Sequence, residues 1–321
     1  MLFSVKGFIT SKRAEAYKDC ADHYAYNTQL HRFAIADGVT RSFFPKLWSK
    51  ILVEQSVASV DATDLPLEAS RAEWLSQVTQ RVSCPDVKWF TMNAFVRKDA
   101  AMSTLVSLEF DEENMSWKAF ALGDSFLFFV PKGREDDMDQ WVKLSSKSEP
   151  VEFDNYPDYL SSRGENKGQP QSLSDKIEEG IFYLMTDALS EWMFMNKAEA
   201  LRIIQKEWTD QQSYQESIDR LRSAGQLHDD DSAVLMIQVE DDGNDGISYQ
   251  NISVTSLEEL VRIDEILAQC RQMISTQWNN LKEAINHIVH NENLSENAKH
   301  ELEEKLSEEY AHAYRNCDSN E

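Results

Sequence analysis

Arg32-Phe-Ala-Ile-Ala-Asp37-Gly38 places a short apolar run directly before an acid and a glycine. A run of this length closed by turn chemistry reads as a buried strand. An aspartate at a strand end is held stiffly, and a following glycine lets backbone come close to an ion. The arrangement recurs along the chain. Thr186-Asp187-Ala-Leu-Ser-Glu191 follows the strand-like Gly180-Ile-Phe-Tyr-Leu-Met185, and Gly123-Asp124-Ser125 separates Trp117-Lys-Ala-Phe-Ala-Leu122 from Phe126-Leu-Phe-Phe-Val130. Asp229-Asp230-Asp231 stands just before Ala233-Val-Leu-Met-Ile-Gln-Val239. Each motif taken singly is ordinary cap or turn chemistry. Taken together they put carboxylates at the ends of several core strands.

Three adjacent aspartates beside a buried strand repel one another unless something positive sits among them. Oxygen-only ligands suit Mg²⁺ or Mn²⁺ better than zinc. Two such ions can bridge a water, lower its pKa and clamp phosphoryl oxygens, with no serine or cysteine nucleophile. The balance of charge agrees. With 32 basic and 56 acidic residues the chain carries −24. That field repels nucleic acid, anionic membranes and phosphorylated substrates alike, unless bound cations reverse its sign locally.

The 321 residues, 41% apolar and 27% charged, suit one large globular domain or two ordinary ones. Cys20, Cys84, Cys270 and Cys317 are far apart and lack zinc spacing, which predicts reduced thiols in a cytoplasmic protein. No signal peptide and no apolar run of membrane-spanning length is read in the chain.

Strand-like and helix-like stretches share residues 1–240, with a further strand over Ser103–Leu108 and helices expected near 45–60, 68–82, 88–101, 197–208 and 213–223. They do not alternate strictly, which disfavours a parallel βαβ fold and favours an antiparallel α+β sandwich. Residues 131–180 read as a long loop region and 241–255 as a linker. Ser256-Leu-Glu-Glu259 is a capping box, and Leu260, Leu267, Ile274, Leu281 and Ile288 then recur every seven residues beside Ile263, Cys270, Trp278 and Ile285. A helix to about 290, a turn at 291–295 capped by Ser295, and a second helix carrying Leu302, Leu306, Tyr310 and Ala313 would make 256–321 an antiparallel helical hairpin. It either packs on its own catalytic domain or offers a coiled-coil-like surface to a partner or a second copy.

The ordered set KDCADHYAYN, RFAIADGVTRS, AAMSTLVSLEF, AFALGDSFLFF, FYLMTDALSEW and HDDDSAVLMIQV resembles the metal-dependent protein phosphatase family, type 2C, over residues 1–240. The resemblance implies a four-layer αββα sandwich of two antiparallel sheets flanked by helices. It implies hydrolysis of phosphoserine or phosphothreonine in proteins by a metal-bridged water. Asp37 would bridge two Mn²⁺ or Mg²⁺ ions, the Gly38 carbonyl would bind one of them, and Asp187 and Asp230 would complete the cluster. Asp22 would act through metal-bound waters, and Asp124 would serve a possible third ion. Ser103 and Thr104 match a structural pair. The register of the last motif leaves Asp229, Asp230 and Asp231 as alternatives; Asp230 is preferred, with Asp231 as a further ligand.

The chain departs from the family's pattern at several positions. Val39-Thr40-Arg41 stands where two glycines are usual, and no histidine lies on that loop to act as general acid. Ala188 replaces a glycine, and Ala21 an acid or amide. The phosphate-binding arginine has no exact counterpart; Arg13, Lys18 and Arg41 are the candidates. His23, His31 and His228 read as loop or surface histidines, with His228 nearest a substrate. These departures leave a second reading open, a non-catalytic relative that serves as a regulatory binding module.

Overall fold

The computed structural model describes residues 1–58, 67–147, 151–153, 157–276 and 294–318. Two compact units emerge, one of residues 1–13 with 19–254, the other of residues 14–18 with 255–321.

The larger unit holds two main sheets. The first runs β13-β1-β12-β11-β7-β8, built from β1 (Leu2–Thr10), β7 (Phe126–Pro131), β8 (Val142–Leu144), β11 (Gly180–Met185), β12 (Ser232–Glu240) and β13 (Ser248–Val254). The second runs β10-β6-β5-β3-β2, from β2 (His23–Asn27), β3 (Arg32–Ala36), β5 (Leu105–Asp111), β6 (Ser116–Leu122) and β10 (Gln171–Lys176). A small pair joins β4 (Met102–Ser103) to β9 (Leu160–Ser161). Every pairing is antiparallel except that of β1 with β13. Ser248–Val254, expected as linker, is therefore an edge strand, and β10 lies in the stretch expected as loop.

Both faces of the central strands are covered, which is why they read as unbroken apolar runs rather than alternating ones. Between the sheets, Phe110 meets Phe3 at 4.7 Å and Phe182 at 5.1 Å, and Phe182 stacks on Phe129 at 4.3 Å. The outer face of the second sheet buries Ala34, Ala36 and Leu105 against α1 (Pro45–Ala58) and α2 (Leu67–Val82) through Trp48, Leu52, Trp74 and Val78. The outer face of the first buries Phe128, Tyr183, Met185 and Val234 against α4 (Asp187–Asn196), α5 (Ala198–Glu207) and α6 (Gln211–Ser223). The result is the expected αββα layering. α3 (Trp89–Val96) is shorter than its expected span of 88–101. Pro45 at the first position of α1 and the Asp210–Ser213 capping box of α6 fix where those helices start.

In the smaller unit, α7 (Leu257–Thr276) begins at the expected capping box: Glu259 N donates to Ser256 Oγ at 3.2 Å and Ser256 N to Glu259 at 3.0 Å. Leu260, Ile263, Leu267 and Cys270 are buried, as are Leu302 and Leu306 of α8 (Glu296–Asp318). Ser295 caps α8 through Ala298 N at 3.2 Å. The cross-helix pairs are Ser295 with Glu259 and Arg271 with Glu309, so position advances in the same direction along both helices. α7 and α8 are thus parallel, a correction to the antiparallel pair expected; the expected helix over 277–290 and most of the turn lie outside the described residues. Among the described residues no helix is long and apolar enough to cross a membrane, and Cys20, Cys84 and Cys270 are free thiols.

Candidate functional site

Strand pairing brings the acidic motifs to one end of the sandwich. His23 pairs with Ala36, so Asp22 and Asp37 adjoin across β2 and β3. Thr10 pairs with Ser232, and Met185 with Val234, so residues 12, 187, 230 and 231 leave neighbouring strands at the same end. Asp124 sits where the chain crosses from β6 in one sheet to β7 in the other.

The backbone around these acids is tightly specified. Asp37 N donates to Thr104 Oγ1 at 3.0 Å, Thr104 N returns a bond to the Asp37 carbonyl at 2.9 Å, and Ser103 Oγ donates to the same carbonyl at 2.7 Å. Ser103 and Thr104 thus hold Asp37 in place. Gly38 N donates to the Ala21 carbonyl at 3.3 Å, and a side chain at residue 38 would meet the Pro45 carbonyl group at 3.0 Å. Gly123, at φ +112°, presses on Thr104 so closely that a Cβ would lie 2.5 Å from its methyl carbon. Thr186 spends its hydroxyl on Ala233 N (3.0 Å), and Asp187 opens α4 with its carboxylate accepting from Ala188 N at 2.7 Å. A carboxylate in a helix's first turn is favoured by the helix dipole.

The carboxylates raise one another's pKa. Asp22 is 1% exposed, and among the described residues neither of its oxygens has a hydrogen-bond partner in good geometry. Burial and then the charges of Asp231 and Asp187 push it well above the usual carboxylate range, relieved only in part by the nearby Thr186 hydroxyl. Burial, followed by Asp187, Asp22 and Asp124, pushes Asp37 up likewise. Asp187 is pushed up to about 8 by burial and then by Asp124 and Asp230. Six carboxylates therefore feel one another, yet among the described residues no three Asp, Glu, His or Cys side chains stand close enough together to hold a metal ion as placed. The donor set is entirely oxygen, is compensated in charge only in part and includes the buried Asp22 oxygens, and this chemistry fits a hard divalent cation.

The last motif divides its labour. Asp231 accepts Lys12 N at 3.1 Å and Ala21 N at 2.8 Å, one on each oxygen, and so ties β1 to the segment before β2. Asp229 accepts Arg13 N at 3.1 Å. The charge of Asp230 reaches Asp22, Asp37 and Asp187, and that of Asp231 acts more strongly on Asp22. Arg222, its side chain 1% exposed, donates to the carbonyls of Ser11 (2.9 Å) and Asp230 and so braces this turn from behind.

The candidate phosphate-binding cations are scattered. Arg13 donates to the Asp219 carbonyl and Ser223 Oγ on α6 (2.8 and 2.7 Å), Lys18 belongs to the smaller unit, and Arg41 is exposed on the loop after Gly38. A cation that does sit among the carboxylates is Lys12, absent from the sequence reading. Its Nζ lies 2.9 Å from Asp230 Oδ1 and 3.3 Å from Thr40 Oγ1. Its position two residues beyond Thr10, which pairs with Ser232, would have revealed it once β1 was recognised. His228 is 77% exposed and faces Glu191 at 3.2 Å.

No family model and no curated protein matches this chain. Solved structures do. The serine/threonine phosphatase Stp1 from Staphylococcus aureus superposes with a TM-score of 0.50 at 12% identity, covering 75% of this chain and 96% of that one. The photosystem II phosphatase PBCP gives 0.49 at 13%, covering 74% and 99%. The catalytic domain of the phosphatase PstP, described in complex with two manganese ions, gives 0.43 at 13%, covering 74% and 99%. The likeness to Stp1 assigns the fold: this chain has the architecture of the type 2C serine/threonine phosphatases.

Proposed function

We propose that this protein hydrolyses phosphoserine and phosphothreonine in phosphoproteins, using two divalent cations, Mn²⁺ or Mg²⁺, held by Asp37, Asp187 and Asp230. What supports the reading is the convergence of Asp22, Asp37, Asp124, Asp187 and Asp230 at one end of a phosphatase-type sandwich, with Asp22, Asp37 and Asp187 destabilised in their charged forms first by burial and then by one another. Divalent cations there would lower the pKa of a water and stabilise charge on the transferring phosphoryl group.

The chain's own residues have separable tasks in this reading. Asp37, fixed by Ser103 and Thr104, is the proposed shared ligand, with the Gly38 carbonyl beside it. Asp22 acts from the buried side through water, and Asp124 supports a further ion. Asp231, whose oxygens already accept two amides, positions Asp230. Arg41 is the candidate left for substrate, being exposed beside the Asp37 loop. Hydrolysis of p-nitrophenyl phosphate and of a phosphothreonine peptide with Mn²⁺ tests the proposal. A folded protein inactive with both Mn²⁺ and Mg²⁺ overturns it.

One observation favours a second reading, a regulatory binding module: no ready three-ligand group among the described residues. Calorimetry with Mn²⁺ separates the two, since a module of that kind takes up no metal.

A further inference from the structure

Lys12 carries an ammonium whose contacts span the acidic end of the sandwich. Nζ reaches Asp230 on the last motif and Thr40 on the loop that carries Asp37, while its backbone N–H is held by Asp231. The side chain is 19% exposed and is rooted at the end of β1, which the register with β12 fixes. It cannot drift far from the carboxylates. Its charge is felt beyond its direct partner, lowering the pKa of both Asp187 and Asp231 against the upward push of burial.

We propose that Lys12 is a tethered counter-cation of the acidic site: its ammonium braces Asp230 against the Asp37 loop in the metal-free protein and competes with divalent cations for the same oxygens. The inference rests on the metal-dependent reading above and adds a residue that reading does not use. Physically, a single positive charge on a flexible stem offsets part of the repulsion, at a fixed effective concentration that a free ion must outcompete. A divalent ion brings twice the charge and takes more oxygens, so it displaces the ammonium while Lys12 stays tethered nearby. Lys12 thus acts on metal occupancy through Asp230, as a positioning residue.

The test compares wild type with Lys12→Met, which keeps the stem and removes the charge, and with Lys12→Arg, which keeps the charge. Two readouts are taken: Mn²⁺ affinity by calorimetry, and the melting temperature in EDTA. Lys12→Met should bind Mn²⁺ about three- to thirtyfold more tightly, the scale expected for removing one unit charge from a partly solvated cluster. It should also melt lower than wild type without metal and gain more from added Mn²⁺, while Lys12→Arg stays close to wild type in affinity. Equal or weaker Mn²⁺ binding by Lys12→Met, with wild type binding normally, overturns the proposal and leaves the metal-dependent reading standing. Binding by neither protein sinks the metal-dependent reading and this inference with it.

Discussion

Replacing Asp187 by asparagine should stabilise the metal-free protein while destroying its proposed activity. In the folded chain the Asp187 carboxyl is pushed up to about 8 from an ordinary 3.8, first by burial and then by Asp124 and Asp230. The folded state therefore binds more protons than the unfolded one. Stability is fully present below the ordinary value and is lost as pH rises from there toward about 8. At about 1.4 kcal/mol per unit, the loss at pH 7 is at most about 4 kcal/mol. The carboxylate is half-buried and its neighbours titrate with it, so about 1–3 kcal/mol is the working expectation. Asparagine has nearly the same shape, keeps an oxygen for the Ala188 amide and carries no charge. Differential scanning calorimetry in EDTA at pH 7.5 should show the variant melting about 3–8 °C above wild type. The gap should shrink toward zero near pH 4.5 and reverse when Mn²⁺ is added, since only wild type gains from the ion. A variant that melts no higher than wild type in EDTA, or whose advantage ignores pH, refutes the electrostatic argument.

Asp37→Asn and Asp230→Asn should each cut turnover of p-nitrophenyl phosphate by about a hundredfold or more with the circular dichroism spectrum unchanged; retained activity in either removes that residue from the site. Gly38→Ala forces a methyl against the Pro45 carbonyl and Ala21 oxygen, at 3.0 and 3.1 Å, and should lower stability by about 1–3 kcal/mol in urea unfolding. Arg222→Met leaves the Ser11 and Asp230 carbonyls without their buried donor and should cost about 3 kcal/mol, most of it recovered by Arg222→Lys only if charge rather than the fork matters. Inorganic phosphate, titrated calorimetrically, should show no heat with metal-free protein and a measurable affinity after Mn²⁺ loading.

Strand ends were the most legible part of the chain. Runs such as Phe126–Val130 and Gly180–Met185 announce themselves because both sheet faces are covered, by aromatic rings on one side and by helices on the other. The acids closing those runs were readable for the same reason. β1 was harder to read, since Ser4, Lys6 and Gly7 interrupt its apolar pattern, and with β1 went Lys12. β13 lay hidden because an edge strand that is mostly exposed has composition indistinguishable from a linker. α4 escaped because ten residues with apolar side chains nearly all round carry no clear amphipathic period. The parallel course of α7 and α8 depends on which residues meet across them, and a heptad pattern does not encode direction.

The charge of −24 and the acidic cluster pose one problem in two forms. A phosphomonoester approaching the end of the sandwich meets the net field of the chain and then six carboxylates, with Lys12 an ammonium paired among them. On the proposed reading the phosphate would be disfavoured as the first ligand, since it would add about two further negative charges to a site that already pushes Asp187 to about 8. On the proposed reading, divalent cations would come before it, each one both relieving repulsion among the aspartates and reversing the sign the substrate meets. The proposed order, cation and then phosphate, rests on the same burial and repulsion that hold Asp187 in its protonated form toward neutral pH.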